Sequence, residues 1–180
     1  GFAIRGGLVD RFDDQPDGFY IDVGAGHPIV DNVSFAFYQR GWRGITWGAP
    51  IEDHQKELVS LSSRGDVAFY RRPADQMSWG GAEIQKISYR YFKGRFSGST
   101  LQLFGASHKK AITAKMFELY GTPEQPNKRV PQFFWTGEKA KVVLFCEVTD
   151  YCVIDMANLE LLAQEEAQNQ PAPATRKDDD

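Results

Sequence analysis

The chain has 180 residues, 42% of them hydrophobic and 13% aromatic, with a formal net charge of -3. Length and apolar content predict one globular domain with a proper core and argue against a second full domain, while so small a charge gives no overall attraction to nucleic acid. No run approaches the roughly eighteen apolar residues of a membrane helix, and no basic-then-apolar signal opens the chain, so a soluble, cytoplasmic protein is expected.

Residues 1–14 form an amphipathic lead-in with Ile4, Leu8 and Val9 on one helical face, and Pro16-Asp17-Gly18 is a turn. Phe19, Tyr20, Ile21 and Val23 make a short apolar run suited to a strand buried on both faces of a parallel sheet. Gly24 and Gly26 follow, where the backbone can turn sharply and approach a ligand with no Cβ in the way. Val30, Val33, Phe37 and Tyr38 then share a helical face, with Asp31 or Asn32 as the cap and Gly41 as the stop. Ile45 and Trp47 begin a second strand, which completes a β-turn-α-β unit. Further on, Ile51 to Ser60 reads as a helix and Asp66 to Tyr70 as a third strand.

From Met77 the pattern changes. Ile84, Ile87, Tyr89, Tyr91 and the run Val142 to Val153 predict longer strands, separated by a helix near Ser107 to Tyr120 and a Pro-containing loop from Thr122 to Pro131. Gln164 to Asp180 loses apolar content, carries Pro171 and Pro173 and ends in three aspartates, the composition of a disordered acidic tail. The expected organisation is a single α/β domain over residues 1–163, with a cofactor-binding half over 1–75 and a divergent β-rich half over 76–163, followed by the tail over 164–180.

The string GFYIDVGAGHPIVDNVSFAFYQRGWRG, residues 18–44, resembles the start of the FkbM-type methyltransferases, and the likeness covers about residues 15 to 60. That resemblance implies a Rossmann-like α/β sheet that binds S-adenosylmethionine and transfers its methyl group to an oxygen of a small-molecule or carbohydrate acceptor. It implies that Asp22, Gly24, Ala25 and Gly26 shape the cofactor site, with Asp31 and Ser34 as secondary contributors, and that His27 stands beside the cofactor as the candidate base. In that family the second strand is similar to Val-Glu-Pro, whose acid holds the ribose; here Trp47-Gly48-Ala49-Pro50 places Gly48 at that position. Such a substitution is expected to alter or impair the pocket, and a catalytically inactive remnant is one outcome.

A reading of another class comes from Lys86, Tyr89, Arg90, Tyr91, Phe92, Lys93, Arg95 and Phe96, where cations alternate with aromatic rings. A single-stranded nucleic-acid site needs charge for phosphates and flat faces for bases, and an acidic tail accompanies such domains. Simple alternation in a sheet, with rings in the core and cations in water, produces the same string. Cys146 and Cys152 lie six positions apart and, on one continuous strand, are too far apart for a disulfide, so reduced buried thiols are expected. His27, His54 and His108 have no metal-ligand spacing, and no metal site is expected. His108 beside Lys109 and Lys110 reads as helix surface, Asp150 and Asp155 face opposite sides of a strand, and Trp135 reads as an apolar plug at a turn.

Overall fold

A computed structural model describes residues 40–169. The lead-in helix, the strand over Phe19 to Val23 and the helix over Val30 to Tyr38 therefore lie outside the described residues.

The first described element is a hairpin, β1 (Gly41–Trp42) and β2 (Ile45–Thr46), followed by a single 3-10 turn at Ile51–His54. Then come β3 (Val59–Arg64), β4 (Val67–Arg71), a second small hairpin of β5 (Ser78–Trp79) and β6 (Ala82–Glu83), β7 (Lys86–Phe92) and β8 (Arg95–Phe104). Helix α1 (Ala106–Tyr120) leads to β9 (Gln132–Thr136), β10 (Ala140–Cys146) and β11 (Tyr151–Asn158), and α2 (Leu159–Asn169) closes the described chain. Seven of the strands form one sheet in the order β3-β4-β7-β8-β11-β10-β9, with every neighbouring pair antiparallel.

The expected Rossmann-like α/β fold is corrected by this sheet: strand outweighs helix, 45% against 23%, and no parallel pair occurs among the described residues. The reason is in the connections. A parallel crossover needs about a dozen residues, but Phe92 and Arg95 face each other across only Lys93 and Gly94, and Arg64 and Val67 across Gly65 and Asp66. Gly41, expected to end a helix, begins a strand that turns back through Arg43 and Gly44, both at positive φ (48° and 79°), as a two-residue hairpin turn of the right twist requires. The helix expected over Ile51 to Ser60 shrinks to the 3-10 turn, and Val59 starts an edge strand exposed along its whole length. Strands on either side of residue 75 belong to the same sheet, and α2 runs from Leu159 to Asn169 through the start of the segment expected as a tail.

Alternation decides which face is buried. Ile87, Tyr89 and Tyr91 on β7, Leu101 and Leu103 on β8, Cys152, Ile154 and Met156 on β11, and Val142 and Leu144 on β10 all point one way, each at most 5% exposed. Helix α1 lays Ile112, Met116, Leu119 and Tyr120 on that face. Trp135 is no turn plug: it sits in β9, 1% exposed, with its ring 5.7 Å from Tyr120 and its indole N–H donating to Gly121 O at 3.0 Å. Each such aliphatic side chain contributes about 1.5 to 3 kcal/mol when taken fully from water.

The expectation of separated thiols is also overturned. The strand breaks at Glu147 to Asp150, Asp150 adopts φ 63°, and the chain folds back so that Cys146 lies directly opposite Cys152. Their Cα atoms are 4.1 Å apart, the narrow spacing of a non-hydrogen-bonded antiparallel pair, and a disulfide joins them.

Candidate functional site

Asp22, Gly24, Ala25, Gly26, His27, Asp31 and Ser34 all lie outside the described residues. Of the stretch carrying the resemblance, the described part starts at Arg40 and is built into the β domain. Trp47 stacks on Phe96 at 4.9 Å, Gly48 N–H donates to Phe96 O, and Phe96 N–H donates to Ala49 O. Gly48 has φ 78°, and a Cβ built on it meets the Arg95 guanidinium at 3.0 Å. The position aligned with the ribose-binding acid is thus a backbone clamp on the start of β8.

The four cations of the alternating stretch do not form one track. Arg90 lies 3.8 Å from Glu165 of α2, Lys93 sits in a turn 3.9 Å from Asp66, and Arg95 donates to Gly48 O. The rings between them, Tyr89, Tyr91, Phe92 and Phe96, are 0 to 2% exposed and offer no face to a base. His108 Nδ1 accepts the Glu83 N–H at 3.2 Å, His54 faces Glu57 at 3.4 Å, and among the described residues no group of three metal-ligating side chains gathers.

The structure instead brings charge together where β4 stops short. The last β4 partner of β7 is Tyr70, opposite Tyr89, so Lys86, Ile87 and Ser88, paired with β8 on one side, run on with no strand on the other. The loop from Arg72 to Met77 turns across this gap and leaves a notch of about 190 Å³ lined by Leu61, Arg71, Arg72, Met77, Lys86 and Ile87, with Asp75 in its wall.

A half-buried polar cluster holds that loop. Arg43 donates to Asp75 Oδ1 at 2.5 Å and to the carbonyls of Gln76 and Ser78 at 2.6 and 3.0 Å. Tyr89 donates its hydroxyl to Asp75 Oδ2 at 2.5 Å. Arg72 donates to Arg43 O at 3.1 Å, pairs with Glu57 at 3.1 Å and stacks its guanidinium 5.4 Å from the Tyr89 ring centre. Burial, reinforced by the hydrogen bond to Asp75 and its negative charge, pushes the Tyr89 hydroxyl well above the ordinary tyrosine value, with Arg72 and Arg43 opposing. Burial does the same to Tyr91, whose hydroxyl is shielded and has no hydrogen-bond partner among the described residues.

Each Asp75 oxygen is engaged, by Arg43 and by Tyr89, and Glu57 answers Arg72. Arg71 and Lys86 are exposed and have no ion pair among the described residues, and Arg72 Nε is buried without a hydrogen bond. The notch therefore carries surplus positive charge over a partly apolar floor. Its volume equals the liquid share of about six waters, below the range of drug-sized pockets. A cavity of about 720 Å³ bordered by α2 is larger; its Asp66 meets Gln168 and Lys93 and its Glu165 faces Arg90, while Arg64 in its lining has no ion pair among the described residues. Another of about 680 Å³ borders Arg40, where the described chain begins.

Lys86 was legible as a cation beside aromatics; Arg71, Arg72 and Asp75 were not singled out, and their one signal was the Arg-Arg-Pro-Ala-Asp string closing a strand-like run. No family model, no characterised protein and no solved structure matches the chain, so the notch stands on its own geometry.

Proposed function

We propose that the domain of residues 40–169 is a recognition module that holds a small organic anion, a carboxylate with a short apolar body, in the notch between β4 and β7. The observation that carries it is that Arg71 and Lys86, without anionic partners among the described residues, line one cavity together with Leu61, Met77 and Ile87. A charge-assisted hydrogen bond contributes about 1.5 to 3 kcal/mol when water is excluded. The Arg43–Asp75–Tyr89 cluster supports the same reading, because a loop already fixed in place costs little to order on binding.

The Cys146–Cys152 disulfide supports an oxidising compartment rather than the cytoplasm expected from the sequence. No helix among the described residues is long and apolar enough to cross a membrane. Methyl transfer to a small-molecule or carbohydrate hydroxyl rests on the resemblance of residues 15 to 60 alone and draws no support from the antiparallel sheet.

Calorimetric titration with butyrate, benzoate and inorganic phosphate tests the proposal. The two carboxylates should bind, with affinity that falls as salt rises, and the Arg71→Gln, Lys86→Gln double variant should lose about tenfold to a hundredfold. No heat from either carboxylate at millimolar concentration, or equal binding by the double variant, overturns it.

A further inference from the structure

The sheet face turned away from α1 has two unlike halves. Its outward positions on β7 and β8 include Lys86, Ser88, Thr100 and Gln102, the polar side chains that a strand facing water carries. On β9, β10 and β11 the outward positions include Phe134, Val143, Phe145, Tyr151 and Val153, all half-buried, with Gln132 and Thr136 as the polar positions at the β9 edge and Phe104 beside Tyr151 left 52% exposed. Helix α2 does not cover this half. It leaves β11 after Asn158 and runs toward the other wing, where Glu165 meets Arg90 and Gln168 donates to Asp66.

Two charged groups share the apolar half. Lys141 lays its Nζ 4.9 Å from the Phe134 ring centre, and Asp155 accepts the Thr100 hydroxyl at 2.7 Å. Neither has an ion pair among the described residues, although they stand on neighbouring strands, with Asp155 opposite Val143 and Lys141 opposite Ala157.

We infer that this face packs against the same face of a second copy of the chain. A two-fold axis parallel to the strands and between β10 and β11 stacks β10 of each copy on β11 of the other, the aligned arrangement that twisted sheets adopt. Phe145 then lies over Val153 of the other copy. Lys141 comes over β11 of the other copy at Ala157, two residues or about 7 Å along that strand from Asp155, within a lysine's reach. The pairing occurs twice, and it joins two charges that have no ion pair among the described residues.

Light scattering and sedimentation of the full chain, from about 1 to about 100 µM, test the inference. A reversible dimer is expected, and Phe145→Glu should raise its dissociation constant at least about tenfold while leaving the circular dichroism unchanged. Because that variant places a charge near the core, the milder set Lys141→Glu, Asp155→Lys and their combination provides an independent readout. Each single reversal should weaken the dimer, and the double reversal should restore part of the affinity. A full chain that stays monomeric over the range overturns the inference; if hydroxyl-radical labelling then finds β9–β11 protected, another segment of the chain covers the face. A dimer indifferent to Phe145→Glu and to both charge reversals overturns it too.

Discussion

On one side of β8, strands β9 to β11 lean on α1 through Trp135, Leu144 and Ile154 and are crossed by a disulfide. On the other, β3 is exposed from Val59 to Arg64, and the loop after β4 is tied down by Arg43, Arg72 and Asp75. The first wing depends on removing hydrocarbon from water, which has no preferred direction. The second depends on a few directed polar contacts, which fail together when one partner is lost. Opening of the molecule should therefore be uneven, with the β3–β4 wing exchanging its amides at lower cost than β9–β11.

The sharpest way to break this contrast is to hollow out the apolar wing. Trp135→Ala removes a side chain 1% exposed together with its indole hydrogen bond, and should cost about 4 kcal/mol in urea unfolding, spread over the whole sheet. Asp75→Ala comes next. With Asp75 only 4% exposed, it strips Arg43 and Tyr89 of their shared acceptor and should cost about 3 kcal/mol. Here hydrogen exchange should rise first in residues 67–78, while β10 and β11 keep their protection; a uniform rise would erase the distinction between the wings.

Replacing both cysteines by serine should cost about 2 kcal/mol, since the bridge closes a loop with a sequence separation of only 6. The effect should be read as a shift in the urea midpoint, with exchange raised at residues 144–153. A gentler probe is alkaline pH. The folded-state values of Tyr89 and Tyr91 are raised, so their contribution is complete below the unfolded tyrosine value near pH 10 and is lost as pH climbs above it. Stability should fall there by up to about 1.4 kcal/mol per pH unit for each tyrosine, and Tyr89→Phe should reduce the slope by about half. Unfolding midpoints at about pH 9 and pH 11 decide it.

The core-facing elements β7 and α1 were legible in the sequence, whereas in the apolar wing β9 was not read as a strand at all. Alternation at Ile87, Tyr89 and Tyr91 marks β7, and the spacing from Ser107 to Tyr120 marks α1, because both elements bury one face and local pattern follows from that. The hairpin of β10 and β11 was seen only as strand. Its turn, Glu147-Val148-Thr149-Asp150, has no glycine or proline to announce it, so an even cysteine spacing was taken along one strand instead of across two. The polar wing was misread more deeply. Ile51, Leu58 and Val59 imitate a helical face, and the tertiary pairing of β3 with β4 overrides it. The notch was invisible for a related reason: Arg71, Arg72 and Asp75 lie at a strand end and in a loop, where no period ranks one polar residue above another.

The register between β8 and β11 also governs the order of assembly. Phe104 meets Tyr151 and Gly98 meets Ala157, so this central pairing must close a loop that contains all of α1, β9 and β10. Loop-closure entropy makes that a late event, whereas α1 and the β10–β11 hairpin need only near neighbours. The disulfide lies within that hairpin and can therefore form before the sheet is complete. Oxidised chains should refold faster than reduced ones, with the gain in the folding limb of the chevron rather than the unfolding limb.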